Sequence, residues 1–376
     1  MASSPNKRLR ILILWGPSFS GAYLSDFFLD NPKYDFEVVS GDRSKEKSPR
    51  AASWGKLWDL RRRLERGEFD LVISGPIQNS AWPLNKQWAT RLAQAFRYFT
   101  YKHKMLDTYW ASWLVGGSRK VPLAAIDFLD TEYVQAKDFR LLKAATLYFK
   151  LNLHYWPRRS LMPLEMALGM RRVTPLTTKL RPFTHGVPTR QIPATVRPIR
   201  ERDIDVCFTG RMRPFRSEGD VDPFADLTYN PIRQDIQDRC KKLKGKFNVF
   251  CADDFVPAEE YETLLQRSKL IVCTESFGCE TFRHYNVTAN GAIPLINWPY
   301  SMNYRQLEPD VHAIYFSLIG DDFERTVARA LADPAKLEEI AANARAFTLE
   351  NKQRGQVGEM VIEETLREFA RQQGKG

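Results

Sequence analysis

The run Leu9–Trp15 is dense in Ile and Leu and breaks at Gly16-Pro17 into a Gly/Ser loop, after which Ala22–Leu29 is amphipathic. An apolar run, a loop and then a helix-period stretch make the first βα unit of a parallel sheet, whose strands are covered on both faces. The alternation continues. Phe36–Ser40 predicts a strand, Trp58–Arg66 a charged helix, and Phe69–Ser74 a strand closed by Gly75-Pro76. Gln87–Thr108 sets Trp88, Leu92, Ala95, Phe96 and Phe99 at helical spacing, which predicts a long helix. Pro122–Phe128 is the next strand, and it runs into the acidic group Asp127, Asp130 and Glu132.

From about Thr184 to Ile204 the periodicity stops. Pro188, Pro193 and Pro198 alternate with Arg190, Arg197, Arg200 and Arg202, the composition of a linker. A second series follows, with strands expected at Asp205–Thr209, Phe247–Cys251, Leu270–Cys273 and Ile293–Asn297. Helices are expected at Ile232–Leu243, Pro257–Arg267 and Thr281–Ala289, and the tail Phe323–Gln373 reads as helical. Strands alternating with helices on both sides of a linker predict an α/β fold of two Rossmann-like domains facing an interdomain cleft. The expected boundaries are 1–190, 203–350 and a C-terminal helix, 351–376, packing back on the N-terminal domain. Ligands of such sheets bind on the loops that follow the strands.

Composition adds three restrictions. At 376 residues and 43% hydrophobic content the chain is too apolar for disorder and long enough for two cores. No apolar run approaches the ~20 residues of a membrane span, and the run after the basic N-terminus is too short for a secretory signal, so the expectation is a cytoplasmic protein. The five cysteines include no CxxC pair, which disfavours a disulfide framework or a zinc site. Charge is uneven. Residues 1–200 hold 33 Lys+Arg against 16 Asp+Glu, while residues 201–376 hold 23 against 29. A half at +17 should attract something anionic.

The most informative stretch is Leu264–Trp298, LLQRSKLIVCTESFGCETFRHYNVTANGAIPLINW. Its loop Thr274–Thr281 leads into a helix, where unpaired backbone N–H groups and the helix dipole favour a phosphate. Gly278 permits close approach of the backbone, Thr281 can cap the helix, and Arg283 can pair with a diphosphate through its fork. A capped helix with a surface arginine accounts for the loop by itself equally well. Earlier in the chain, Asp205–Arg216 (DVCFTGRMRPFR) follows a strand with Gly210 and then Arg211, Arg213 and Arg216, and Arg233 lies on the next predicted helix.

These two segments, in this order, resemble the donor-nucleotide domain of GT-B glycosyltransferases. They are most like the exostosin-like and group 1 families, and more weakly like the fucosyltransferase type. The matching positions are Ser276, Gly278, Thr281, Phe282, Arg283, Tyr285, Gly291, Ile293 and Pro294. The likeness covers roughly the second half of the chain. It implies that Gly210, Arg211, Arg213, Arg233, Ser276, Gly278, Thr281, Arg283 and Asn286 contact a nucleotide-diphosphate sugar, which is a co-substrate, so no cofactor is expected. Asn286 stands where such enzymes commonly carry a Glu that contacts ribose or sugar; Asn keeps the hydrogen bonds and loses the charge.

Transfer with inversion needs a base for the acceptor hydroxyl. Asp127 and Asp130, at the end of a first-domain strand, would face the cleft; His185 and His154 are rivals. A retaining route would need no such base. No acidic cluster carries His or Cys at metal-ligand spacing, in keeping with a metal-independent enzyme. Basic residues interleaved with aromatics in the first half, among them Arg61–Arg63, Arg91, Arg97, Arg158-Arg159 and Arg171-Arg172, suit an anionic acceptor: a cell-envelope or lipid-linked glycan, with peripheral contact at the inner face of a membrane. Transfer to modified DNA, or a non-catalytic protein that binds nucleic acid or membrane on the same fold, are the alternatives.

Overall fold

The structure is a computed structural model and describes residues 8–15, 21–40, 54–75, 120–128, 131–134, 138–210, 223–252, 256–275 and 278–374. The predicted helix Gln87–Thr108, together with Asp130, Arg211, Arg213, Arg216 and Ser276, lies outside the described residues. The chain divides into two compact units. One holds Met1–Phe183 with Gly355–Gly376, the other Thr184–Arg354. The proline- and arginine-rich segment that reads as a linker is thus part of the second unit.

The first unit is a parallel six-stranded sheet built from β1 (Leu9–Trp15), β2 (Tyr34–Ser40), β3 (Leu71–Ser74), β4 (Leu123–Asp127), β5 (Leu147–Lys150) and β6 (Leu180–Pro182), in the order β2-β1-β3-β4-β5-β6. Ile11–Ile13, Leu71–Ile73 and Leu123–Ile126 are fully buried, as strands covered on both faces must be. Around the sheet run α1 (Trp54–Glu65), α2 (Met162–Leu168) and α3 (Met170–Val173). Beside it Phe27, Phe128 and Phe183 make a ring cluster with centroids 5.0–5.8 Å apart. β5 and β6, and the short helices between them, were not legible as elements, because their apolar residues fall in pieces too short to show a period.

The second unit is a parallel five-stranded sheet of β7 (Ile204–Phe208), β8 (Val249–Cys251), β9 (Ser268–Cys273), β10 (Ile293–Asn297) and β11 (Ile314–Phe316), in the order β11-β10-β9-β7-β8. Its helices are α4 (Pro223–Leu243), α5 (Ala258–Arg267), α6 (Phe282–Ala289), α7 (Asp322–Leu331) and α8 (Pro334–Asn351). Each face of the sheet has its own core. Phe208, Val272, Leu295, Phe316 and Phe323 lie on one side, and Cys207, Ile271, Tyr285, Ile296 and Tyr315 on the other.

Arg202 pins the entry to this sheet. It is 2% exposed and donates to the carbonyls of Arg197, Leu265, Ser268 and Asn290, joining the ends of α5 and α6 to the start of β7. Burial lowers its pKa to about 10, with Arg197 adding to the effect. The predicted helical tail resolves into α7, α8 and a last helix, α9 (Arg354–Gln372). All of α9 after Arg354 belongs to the first unit. There a Cβ on Gly358 would stand 1.8 Å from the carbonyl oxygen of Phe27, so only glycine permits the packing.

Candidate functional site

The site begins where β9 ends. Its strand residues are held by neighbours on both sides, so the chain leaves the sheet at its carboxyl edge, at Cys273. Two hydrogen bonds fix the loop that follows: the Glu275 backbone N–H donates to Asn297 Oδ1 at 3.0 Å, and the Tyr300 N–H points at Cys279 Sγ at 3.3 Å. Thr281 is extended (φ −122°, ψ 155°) and precedes α6 as its N-cap, yet its hydroxyl makes no capping hydrogen bond. The His284 N–H already donates to the Thr281 carbonyl at 3.2 Å, while the N–H groups of Phe282 and Arg283 have no acceptor among the described residues and keep their affinity for one. Phe282 is 47% exposed, and Thr281 and Arg283 are half-buried, so the helix start is open to solvent.

Beneath this start lies a buried polar network. Glu280 is 3% exposed. Its Oε1 accepts from Thr184 Oγ1 and from the His185 backbone N–H, both at 2.8 Å, and its Oε2 accepts from the Tyr285 hydroxyl. Lys352 is fully buried beside it, with Nζ 3.4 Å from Thr184 Oγ1, 4.6 Å from the centre of the Tyr285 ring, and donating to the Tyr304 carbonyl. Burial pulls the Lys352 ammonium down to about 8 against the opposing pull of Glu280. Gly186 has φ 57°, and a Cβ there would meet the Lys352 carbonyl at 2.9 Å. Val187 N–H donates to that carbonyl at 2.7 Å. A carboxylate and an ammonium that are far apart in sequence thus clamp residues 184–187 to the start of α6.

The expected site residues separate into three groups. Gly278, Thr281, Arg283, Asn286 and His185 come together around α6. Arg283 stacks over the Tyr261 ring at 5.9 Å from its centre, and burial raises the Tyr261 hydroxyl while the arginine lowers it. The Oδ1 of Asn286 is buried with no hydrogen-bond partner among the described residues. His284, next to Arg283, is pushed down to about 4 by burial, so its imidazole is neutral near pH 7. Gly210 follows β7 at the same carboxyl edge, where a Cβ would lie 2.3 Å from the Phe208 ring. Arg233 lies half-buried on α4.

Asp127 falls elsewhere. It ends β4 in the other unit, is fully buried, accepts from the Tyr148 hydroxyl at 2.9 Å and pairs with the equally buried Lys150 at 3.7 Å. It was expected to face the cleft as a base; instead the fully buried side chain pairs with a buried lysine. His154, the other rival, is half-buried, and its Nδ1 accepts from the Trp156 backbone N–H.

The sequence pattern gave no site role to Glu280, Lys352 or Arg354 and marked Thr184 only as the start of a linker. Arg354 Nε donates to the His185 carbonyl at 3.3 Å. The one available signal was a carboxylate placed just before a predicted helix, which reads ordinarily as a cap. Among the described residues no group of three or more His, Cys, Asp or Glu is placed to hold a metal ion.

Residues 233–356 match the family model described as glycosyl transferase-like. No curated protein matches the sequence. Among solved structures, the N-terminal domain of Candida albicans trehalose-6-phosphate phosphatase aligns with a TM-score of 0.57 at 12% identity, covering 98% of each chain. HepE of Anabaena, solved in complex with UDP, aligns with a TM-score of 0.51 at 11% identity over 95% of this chain and 99% of that one. A glycosyltransferase from Rickettsia africae gives 0.50 at 9% identity over 96% and 99%. The fold is GT-B, two Rossmann-like α/β units, and the resemblance carried by Leu264–Trp298 is borne out at that level.

Proposed function

We propose that this protein is a glycosyltransferase that moves a sugar from a nucleotide-diphosphate sugar to an anionic acceptor. The carrying observation is the uncapped, solvent-open start of α6 with Arg283 on its first turn, inside the segment that matches the glycosyl transferase-like family. In this reading the N–H groups of that turn and the Arg283 guanidinium receive the two negatively charged phosphates, with Gly210 and Gly278 letting backbone close in. Arg211, Arg213, Arg233 and Ser276 complete the donor set. Asn286 Oδ1 takes a hydroxyl of the ribose or the sugar, in the role otherwise filled by a glutamate. Because HepE was solved with UDP, uridine nucleotides are the first donors to try.

The chemistry follows from the same geometry. As the glycosidic bond to the diphosphate breaks, charge grows on the leaving phosphate oxygen, and the α6 dipole and Arg283 stabilise it where it forms. This arrangement supplies positive charge without a metal, and transfer is proposed to be metal-independent. His185 is the favoured base for the acceptor proton, since Glu280 fixes its backbone beside the helix start. Asp130 remains a candidate from the first unit. The acceptor is proposed to be a cell-envelope or lipid-linked glycan at the inner face of a membrane, which the +17 charge of residues 1–200 favours.

Calorimetric titration with a panel of nucleoside diphosphates and their sugars tests the reading. Arg283→Ala should weaken the binding nucleotide about 10–100-fold, the loss of one charge-assisted pair, at unchanged melting temperature. If no nucleotide binds, or if the variant binds as tightly as the wild type, the donor site is refuted.

A further inference from the structure

Between β5 and β6 the first unit makes a short helix, Pro157–Ser160, followed by α2 and α3. Leu161, Leu164 and Val173 turn inward and are fully buried. Large apolar side chains between and before them turn outward: Met166 is 82% exposed, Trp156 61%, Tyr155 and Met170 53%, and Met162 44%. Met162 and Met166 stand one helical turn apart on α2 and share a face. Gly169, at φ 85°, turns the chain so that Met170 opens α3. Single exposed apolar residues are ordinary on soluble proteins. This many in one short stretch mark it as a candidate interaction surface.

Four arginines flank the surface, two before α2 and two on α3. Arg158 lies over the Trp156 ring at 5.9 Å and pairs with Glu165 at 3.0 Å, the only carboxylate between Tyr155 and Val173. Arg159 reaches Glu132 at 3.9 Å. Arg171 and Arg172 are exposed and, among the described residues, make no ion pair. No helix of the described residues is long and apolar enough to cross a membrane.

We propose that the Tyr155–Arg172 surface docks on an anionic lipid bilayer. Met162, Met166, Met170 and Trp156 enter the interface between headgroups and acyl chains, while Arg171 and Arg172, whose charges no carboxylate of the described residues meets, pair with lipid phosphates. A symmetric contact between two copies would instead bring like-charged arginines together, so charge selects the lipid. The inference stands on the first unit and is independent of the donor reading.

Flotation of the full-length protein with phosphatidylcholine vesicles, with and without phosphatidylglycerol, tests it. The wild type should float with the anionic vesicles only, and less as salt rises. Met166→Glu should lower the partition coefficient about tenfold or more. Arg171→Ala and Arg172→Ala should each lower it about fivefold. All three sites are exposed, so circular dichroism and nucleotide affinity should stay at wild-type values, which separates this test from that of the donor site. A wild type that does not float with anionic vesicles, or a Met166→Glu variant that floats like it, overturns the proposal. So does a lipid-free dimer that Met166→Glu dissociates.

Discussion

Replacing Lys352 by Met is the sharpest test of the clamp under the candidate site. In the folded protein the Lys352 ammonium is fully buried, and burial has lowered it from 10.5 to about 8. In the unfolded chain it returns to the ordinary lysine value. Between about pH 8 and pH 10.5, then, the unfolded state holds a proton that the folded state has released, and stability rises with pH. Below pH 8 both states are protonated and the burial cost is carried in full. At about 1.4 kcal/mol per pH unit, the gap amounts to about 3 kcal/mol. Lys352→Met removes this titration and leaves the others in place. Urea unfolding of both proteins at several pH values between 7 and 10.5, with a thiol reductant, gives the two profiles. Their difference should shift by about 3 kcal/mol in favour of the wild type as pH rises across that window. Parallel profiles would show that Lys352 titrates like a solvated lysine, and the account of the network would fail.

Three further outcomes follow from particular contacts. His185→Gln should cut turnover about 100-fold or more while nucleotide affinity stays within about twofold; steady-state kinetics with calorimetry would show equal turnover if the acceptor's base lies elsewhere. Arg202→Lys loses the fork that reaches four carbonyls and should cost about 2–4 kcal/mol in urea unfolding. Gly358→Ala in α9, a change that mid-helix ordinarily stabilises by ~0.5–1 kcal/mol, should destabilise by about 3 kcal/mol and expose the tail to protease, since its Cβ would overlap the Phe27 carbonyl.

The sequence by itself determined the long apolar strands and the carboxyl edge on which the candidate site sits. β1 and β10 fall on the predicted residues Leu9–Trp15 and Ile293–Asn297, because a strand buried on both faces writes itself as an unbroken apolar run. The loop Thr274–Thr281 and the helix after it were legible for the same reason, since Gly and Ser punctuate where apolar runs stop. What only the tertiary structure decided is which charges are spent inside. Glu280 meets Thr184 from 96 positions away, and Lys352 meets Thr184 from 168. No local pattern marks such a pair, as a carboxylate or an ammonium on a chain reads as solvated until its partner is known. Asp127 shows the converse. Its place at a strand's end suggested a reactive edge, yet the fold set Lys150 on the neighbouring strand and turned both inward. Apolar periodicity is a local property of a chain, whereas pairing of buried charge belongs to the completed fold.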